Sequence, residues 1–202
     1  MIDAAALATY MFVMSITPGP NNVMLTASGA NFGFRRTLPH MLGITGGFAA
    51  MTLLVCLGLG AVFVRVPQLQ VGLTWLGAAY LVYIAWRIIG AGAVGKSETA
   101  RPLSVVEAAL FQPANPKGWI TAITIAALFV PAHGNLFVAI GVIFALIIAV
   151  MFPSMAVWAA FGSAMRRFLD HPARRKAFNI TMAALLAATA VMMLRTERRF
   201  GG

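Results

Sequence analysis

Long apolar runs, each near the length of a bilayer crossing, alternate along this chain with short polar stretches. A helix needs about 20 apolar residues to cross a hydrocarbon core of about 30 Å. Six segments meet or approach that length: 4–30, 40–64, 71–89, 104–130, 136–161 and 177–194. The sixth is the shortest, and the longest polar connection is 90–102. The pattern predicts an all-α integral membrane protein of about six transmembrane helices. It reads as a single membrane domain over residues 1–202, in two three-helix halves, 1–95 and 96–202. An odd number of spans per half makes the two halves inverted repeats of each other.

Two of the six runs are interrupted, and in similar chemistry. The first breaks at Ser15-Ile16-Thr17-Pro18-Gly19-Pro20-Asn21-Asn22 and the fourth at Gln112-Pro113-Ala114-Asn115-Pro116-Lys117-Gly118-Trp119. Pro18 and Pro113 are 95 residues apart, close to half the chain, so the first helix of each half is broken. Proline lacks an N–H and clashes with the carbonyl four residues back. Pro18 and Pro20 are therefore expected to free the carbonyls of Met14 and Ile16, and Pro113 and Pro116 those of Ala109 and Gln112. Such backbone is tolerated at membrane depth only where protein or a watery cavity satisfies it. Each helix that restarts after a break turns free N–H groups and a positive dipole end into the same region, which suits a carboxylate. Asn21, Asn22, Gln112 and Asn115 add amides that donate and accept. Interrupted segments at corresponding positions of two halves point to a transporter's binding site near the midplane. Pro153 in the fifth segment reads as a simple kink.

Composition removes the competing classes. The 202 residues are 60% hydrophobic and 10% charged, against about 25% charged in a soluble domain, and mean hydropathy is +0.86. Disorder needs low hydrophobicity and is excluded. The net charge of +10 would suggest nucleic acid only on a solvated basic face, and the stretches between charges here are apolar. The charges give orientation instead. Loops 1–2, 3–4 and 5–6 hold Arg35, Arg36, Arg87, Lys96, Arg101, Arg166, Arg167, Arg174, Arg175 and Lys176, and the opposite side holds Arg65, Arg195, Arg198 and Arg199. Ten against four puts the first set in the cytoplasm and both termini outside. Should the sixth segment not cross, the last three arginines join the inside and five spans remain. The start of the chain has no basic region, and its apolar run continues past any cleavage site, unlike a signal peptide.

Few groups offer chemistry. Cys56 is alone and the histidines, His40, His133 and His171, are scattered, so no metal cluster, disulfide or cofactor is expected. Lys117 is the one basic residue well inside a span. Intramembrane charge is costly and usually faces a cavity, so Lys117 is a partner for a substrate carboxylate, with snorkelling to the interface as its alternative. Glu107 is a candidate for proton coupling, although Ser104-Val105-Val106-Glu107 also fits a capping box. With no other carboxylate inside the membrane, a net-neutral zwitterion or an anion is favoured over a cation. Trp75, Tyr80, Tyr83, Trp86, Trp119 and Trp158 read chiefly as interfacial belts. Gly29 and Gly33, like Gly43 and Gly47, have the G-x-x-x-G spacing that lets helices approach closely.

Thr17-Pro18-Gly19-Pro20-Asn21-Asn22, Gly33-Phe34-Arg35, Trp75-Leu76-Gly77-Ala78-Ala79-Tyr80-Leu81 and Asn115-Pro116-Lys117 with Trp119 resemble the LysE/RhtB family of bacterial amino-acid exporters over nearly the whole chain. The resemblance implies a multi-pass inner-membrane carrier of about six spans that exports amino acids or close derivatives on the proton gradient. Family substrates include homoserine, threonine, lysine, arginine, leucine and cysteine or O-acetylserine; the pattern lies nearest the cysteine/O-acetylserine and homoserine branches. The expected binding residues are Thr17, Pro18, Gly19, Pro20, Asn21, Asn22, Gln112, Asn115, Pro116 and Lys117. The expected partners are the amino acid and the bilayer, without nucleic acid; a homo-oligomer stays open. A membrane enzyme or lipid-handling protein would need converging acid–base groups or metal ligands, which five acidic residues, mostly in loops, do not supply. A non-catalytic subunit of a larger membrane assembly remains as a further alternative. A topology reporter fused at Gly202 is expected to read outside; an inside signal would reject the six-span orientation.

Overall fold

The computed structural model describes residues 2–59, 65–91, 101–131 and 133–200. Among them, the regular structure is entirely helical. Helix α1 (Ala4–Ile16) starts at Asp3, whose carboxylate accepts from the N–H groups of Ala5 and Ala6 at 3.1 and 3.0 Å. It stops before Pro18, and α2 (Pro20–Phe32) restarts with Pro20 as its first residue, where the missing N–H costs nothing. Helix α3 (Phe34–Leu54) runs into a π turn over Val55–Leu59 that is kinked at Gly58, where φ is 104°. Then come α4 (Pro67–Ala91), α5 (Val105–Phe111) with a 3-10 turn at Gln112–Ala114, and α6 (Pro116–Phe129), again led by proline. Helix α7 (Leu136–Leu146) continues through a π turn at Ile147–Met151 into α8 (Phe152–Ala164), and α9 (Pro172–Phe200) ends the chain's described part.

Among the described residues, four stretches are long and apolar enough to cross a membrane: Phe34–Leu59, Gln68–Gly90, Leu136–Ala164 and Pro172–Arg195. The remaining two segments are the broken ones, α1 with α2 and α5 with α6. Neither piece of either pair is long enough alone, since 13 residues of α1 rise only about 20 Å. The sixth segment is longer than its hydropathy suggests: the helix begins at Pro172, and its first turns carry Arg174, Arg175 and Lys176. Pro153 follows directly on a π turn, so the kink expected there belongs to a local change of helix winding. The expected end of the second segment (60–64), Lys96 and the boundary between the halves lie outside the described residues.

The bundle is built on close backbone contacts. Helix α2 packs on α8, α3 on α5 and α4 on α9. At the first crossing Gly29 lies against the backbone of Ala159, and Gly162 against that of Thr26, so no side chain fits at either position. Gly43 and Gly47 meet the backbones of Val105 and Ala109 in the same way, in keeping with their spacing. Gly33 does not. It ends α2 and caps α3 with φ of 87°, a conformation that glycine alone adopts readily. Its neighbour is the Arg166 guanidinium.

Two apolar clusters divide the interior. One joins Met24, Leu25, Met41, Leu81, Phe111 and Met155; the other joins Leu7, Met11, Phe48, Ile125, Ile143 and Met151. The basic residues gather beyond the first cluster, where Asn31 bonds Asn179 at 2.9 Å, the Phe34 N–H reaches Ser163 and Arg87 reaches Glu107. Gly162→Val should press into Thr26 and cost about 1–3 kcal/mol. Thermal unfolding in detergent checks this; an unchanged transition would show that α2 and α8 separate freely.

Candidate functional site

The two breaks meet. Pro18 keeps α1 from continuing, Pro20 and Pro116 restart the chain as α2 and α6, and both new helices begin without a side-chain cap. Their first N–H groups and positive dipole ends therefore face the junction. Gly19, Pro20, Asn21, Asn22, Gln112, Asn115 and Lys117 line one pocket there, with Ile44, Phe48, Met151 and Met155 as its apolar sides. Ile44 and Met155 come from one apolar cluster, and Phe48 and Met151 from the other. The polar site is thus the layer between the two cores.

Side chains join the two breaks and satisfy carbonyls within them. Asn21 and Gln112 form a reciprocal amide pair: Asn21 Nδ2 donates to Gln112 Oε1 at 3.0 Å and Gln112 Nε2 returns at 3.4 Å. Gln112 is 1% exposed and also donates to the Ala108 carbonyl at 2.9 Å. Asn22 Nδ2 donates to the carbonyls of Ser15 and Thr17 at 2.9 and 2.8 Å. Lys117 Nζ crosses to the first break, donating to the Thr17 carbonyl at 2.7 Å, its hydroxyl at 2.9 Å and the Pro18 carbonyl at 3.4 Å. Thr17 and Pro18 are exposed whereas Asn22, Gln112 and Asn115 are buried, so Lys117 sits at the mouth and the amides form the floor. Asn115 is 3% exposed, and its Oδ1 accepts no hydrogen bond. That acceptor is held in reserve beside the pocket.

Several expectations change in detail. The Met14 and Gln112 carbonyls are met locally, by the Thr17 hydroxyl at 3.2 Å and the Asn115 N–H at 3.0 Å. The acceptors that join the breaks are the carbonyls of Thr17 and Pro18. Trp119 serves the second break: its indole N–H donates to the Pro113 carbonyl at 2.6 Å. Trp75 and Trp86, in contrast, are exposed on α4. Glu107 does not enter the pocket. It forms the capping box with Ser104 and pairs with Arg101 at 2.6 Å and Arg87 at 3.4 Å. The Glu107 carboxylate in turn raises the Arg101 guanidinium's pKa. Phe48, Thr121, Met151 and Met155 line the pocket without having been singled out. Only the placement of Thr121 one turn after Lys117 was available as a signal. Among the described residues, no group of His, Cys, Asp and Glu could hold a metal.

The pocket is small. Its volume of about 50 Å³ is far below the roughly 300–1,000 Å³ of small-molecule sites.

A model of the LysE type translocator family matches residues 12–197. The chain is 31% identical over 189 residues to the cysteine/O-acetylserine efflux protein of Salmonella typhimurium, covering 93% of this chain and 95% of the relative. The protein of the same description from Escherichia coli K12 is 30% identical with the same coverage. No solved structure matches.

Asn21→Leu should leave the buried Gln112 amide without its partner and cost about 1–3 kcal/mol. Asn21→Leu with Gln112→Leu should cost less than the two single changes added together. Unfolding of the four proteins in detergent measures the coupling, and strictly additive losses would mean that the amide pair does not tie the breaks.

Proposed function

The chain belongs to the LysE-type translocator family and is a multi-pass membrane transporter rather than an enzyme, and on that premise we propose that it exports a small zwitterionic amino acid or close derivative. Cysteine and O-acetylserine, named in its relatives, are the first candidates, with homoserine and threonine next. The observation that carries this reading is the joining of both breaks in one polar layer between two apolar cores.

The site's chemistry matches a zwitterion. The uncapped ends of α2 and α6 and the Lys117 ammonium suit a carboxylate. Asn115 Oδ1 and the carbonyls of Thr17 and Pro18 suit an ammonium. Binding then exchanges partners: the substrate's ammonium replaces Lys117 Nζ on the Thr17 carbonyl, and the released Nζ turns to the substrate's carboxylate. The narrow pocket must widen for this, which fits alternating access by two inverted halves rocking about the site. The proton gradient drives the cycle, and Glu107 exchanges a proton when Arg101 and Arg87 release it. The basic end of the bundle faces the cytoplasm of a bacterial inner membrane and both termini lie outside.

Reconstituted protein should show counterflow of labelled cysteine or O-acetylserine. Lys117→Ala and Asn21→Ala should each slow it at least about ten-fold, the loss of one charged or buried contact, at normal insertion. Unchanged rates in both variants would remove the site. A wild-type protein inert towards a broad amino-acid panel would favour a subunit of a larger assembly.

A further inference from the structure

A second cavity, of about 500 Å³, lies at the basic end of the bundle. It falls in the range of small-molecule sites and is ten times the volume of the pocket between the breaks. It is bounded by the second half of α2, the start of α3, the end of α4 and the residues before α5. The two spaces are stacked along the same helices. On α2, Met24 lines the large cavity and Asn21 the small one; on α3, His40 lines the large and Ile44 the small. Each step is about one helical turn.

His40 is the unexplained group. It is 1% exposed, and neither ring nitrogen has a hydrogen-bond partner. A buried imidazole without partners is costly, and such groups in native proteins generally have a reason. The polar neighbours around the cavity are already engaged: Ser28 with Thr37 at 2.9 Å and Asn31 with Asn179 at 2.9 Å. At the rim, Arg87 and Arg101 share the single carboxylate of Glu107, which leaves one net positive charge. Met24, Ala27, Ile84, Ile88 and Leu103 supply apolar walls.

The geometry points to this cavity as an entry site for the transported molecule, a small carboxylate-bearing amino acid with one hydrogen-bonding side-chain group, anchored by His40. The inference rests on the exporter reading above. The carboxylate is drawn to the arginine rim and the apolar body lies along the Ile84–Ile88 wall. A hydroxyl, thiol or ester group meets the imidazole, which in its neutral form offers one donor and one acceptor. From there the molecule has about one turn to travel before it reaches Asn21 and Asn22.

The test uses Ile88→Cys in a Cys56→Ser background, with a small methanethiosulfonate reagent as label and O-acetyl-L-serine as probe. The probe should slow labelling at least about five-fold, and His40→Phe should abolish that protection while His40→Gln retains part of it. In proteoliposomes, His40→Phe should raise the half-saturating concentration at least about ten-fold from the face that carries the basic loops, and leave the other face within about two-fold. Should His40→Phe not insert, Ile88→Trp narrows the same cavity and should give the same one-sided shift. Equal shifts on both faces, no shift, or no protection would overturn the inference. Labelling that is already blocked by long-chain lipid, whatever the amino acid, would overturn it as well, by showing an acyl chain in the cavity. Wild-type protein without counterflow would be a failure of the exporter reading; normal counterflow without protection would be a failure of the entry site alone.

Discussion

Backbone polar groups cannot be left unpaired inside an apolar bundle, and this requirement organises the molecule. Four prolines interrupt two apolar segments and leave backbone carbonyls and N–H groups there without their helical partners. The chain meets the debt by bringing the two interruptions together: the ammonium of the second satisfies carbonyls of the first, and an amide from each pairs with the other. Lys117 on the Thr17 carbonyl and Asn21 on Gln112 are the links. Once those groups are joined, α2 and α6 both begin at the same place, and their dipole ends follow without further design.

The rest of the fold holds that junction in position. Glycine contacts between α2 and α8, and between α3 and α5, draw backbones together with no intervening side chains. The apolar packing is divided into two clusters on either side of the polar layer, which in the carrier proposed above lets one end loosen while the other stays packed. The structure shows such an asymmetry: a roomy cavity at the basic end and a pocket between the breaks too small for an amino acid. The π turns at Val55–Leu59 and Ile147–Met151 place changes of helix winding close by, and Met151 itself lines the pocket.

The breaks were legible because proline's effect on its own helix is local. Ser15, Gly19, Pro20, Asn21, Asn22, Gln112, Asn115, Lys117 and Gly118 of the two motifs line the junction, and Thr17 and Pro18 accept from Lys117 there. Which carbonyl each donor reaches was not legible, since that depends on how two segments about 95 positions apart approach. Proline predicts a free carbonyl on Met14, but Thr17's own hydroxyl takes it. The same gap explains Gly33, whose spacing from Gly29 imitates a packing motif while its backbone makes a turn. It also explains Trp119, whose indole serves the Pro113 carbonyl. Glu107 was legible as a cap from four consecutive residues; its two arginine partners come from elsewhere in the chain. The π turns left no clear mark in runs that are apolar throughout, and His40 carries no sign in the sequence that its ring would be sealed in without a partner.

The contact between Lys117 and Thr17 has a bearing on the return leg of a transport cycle. A carrier that reorients empty must carry its vacated site back through the low-dielectric interior. Bare carbonyls would make that journey costly and would tie each return to a second passenger. In the carrier proposed above, the Lys117 ammonium stands in for the departed cargo on the Thr17 and Pro18 carbonyls, so those two acceptors stay paired in the unloaded protein. On that reading, molecules leave without an obligatory exchange for others coming in.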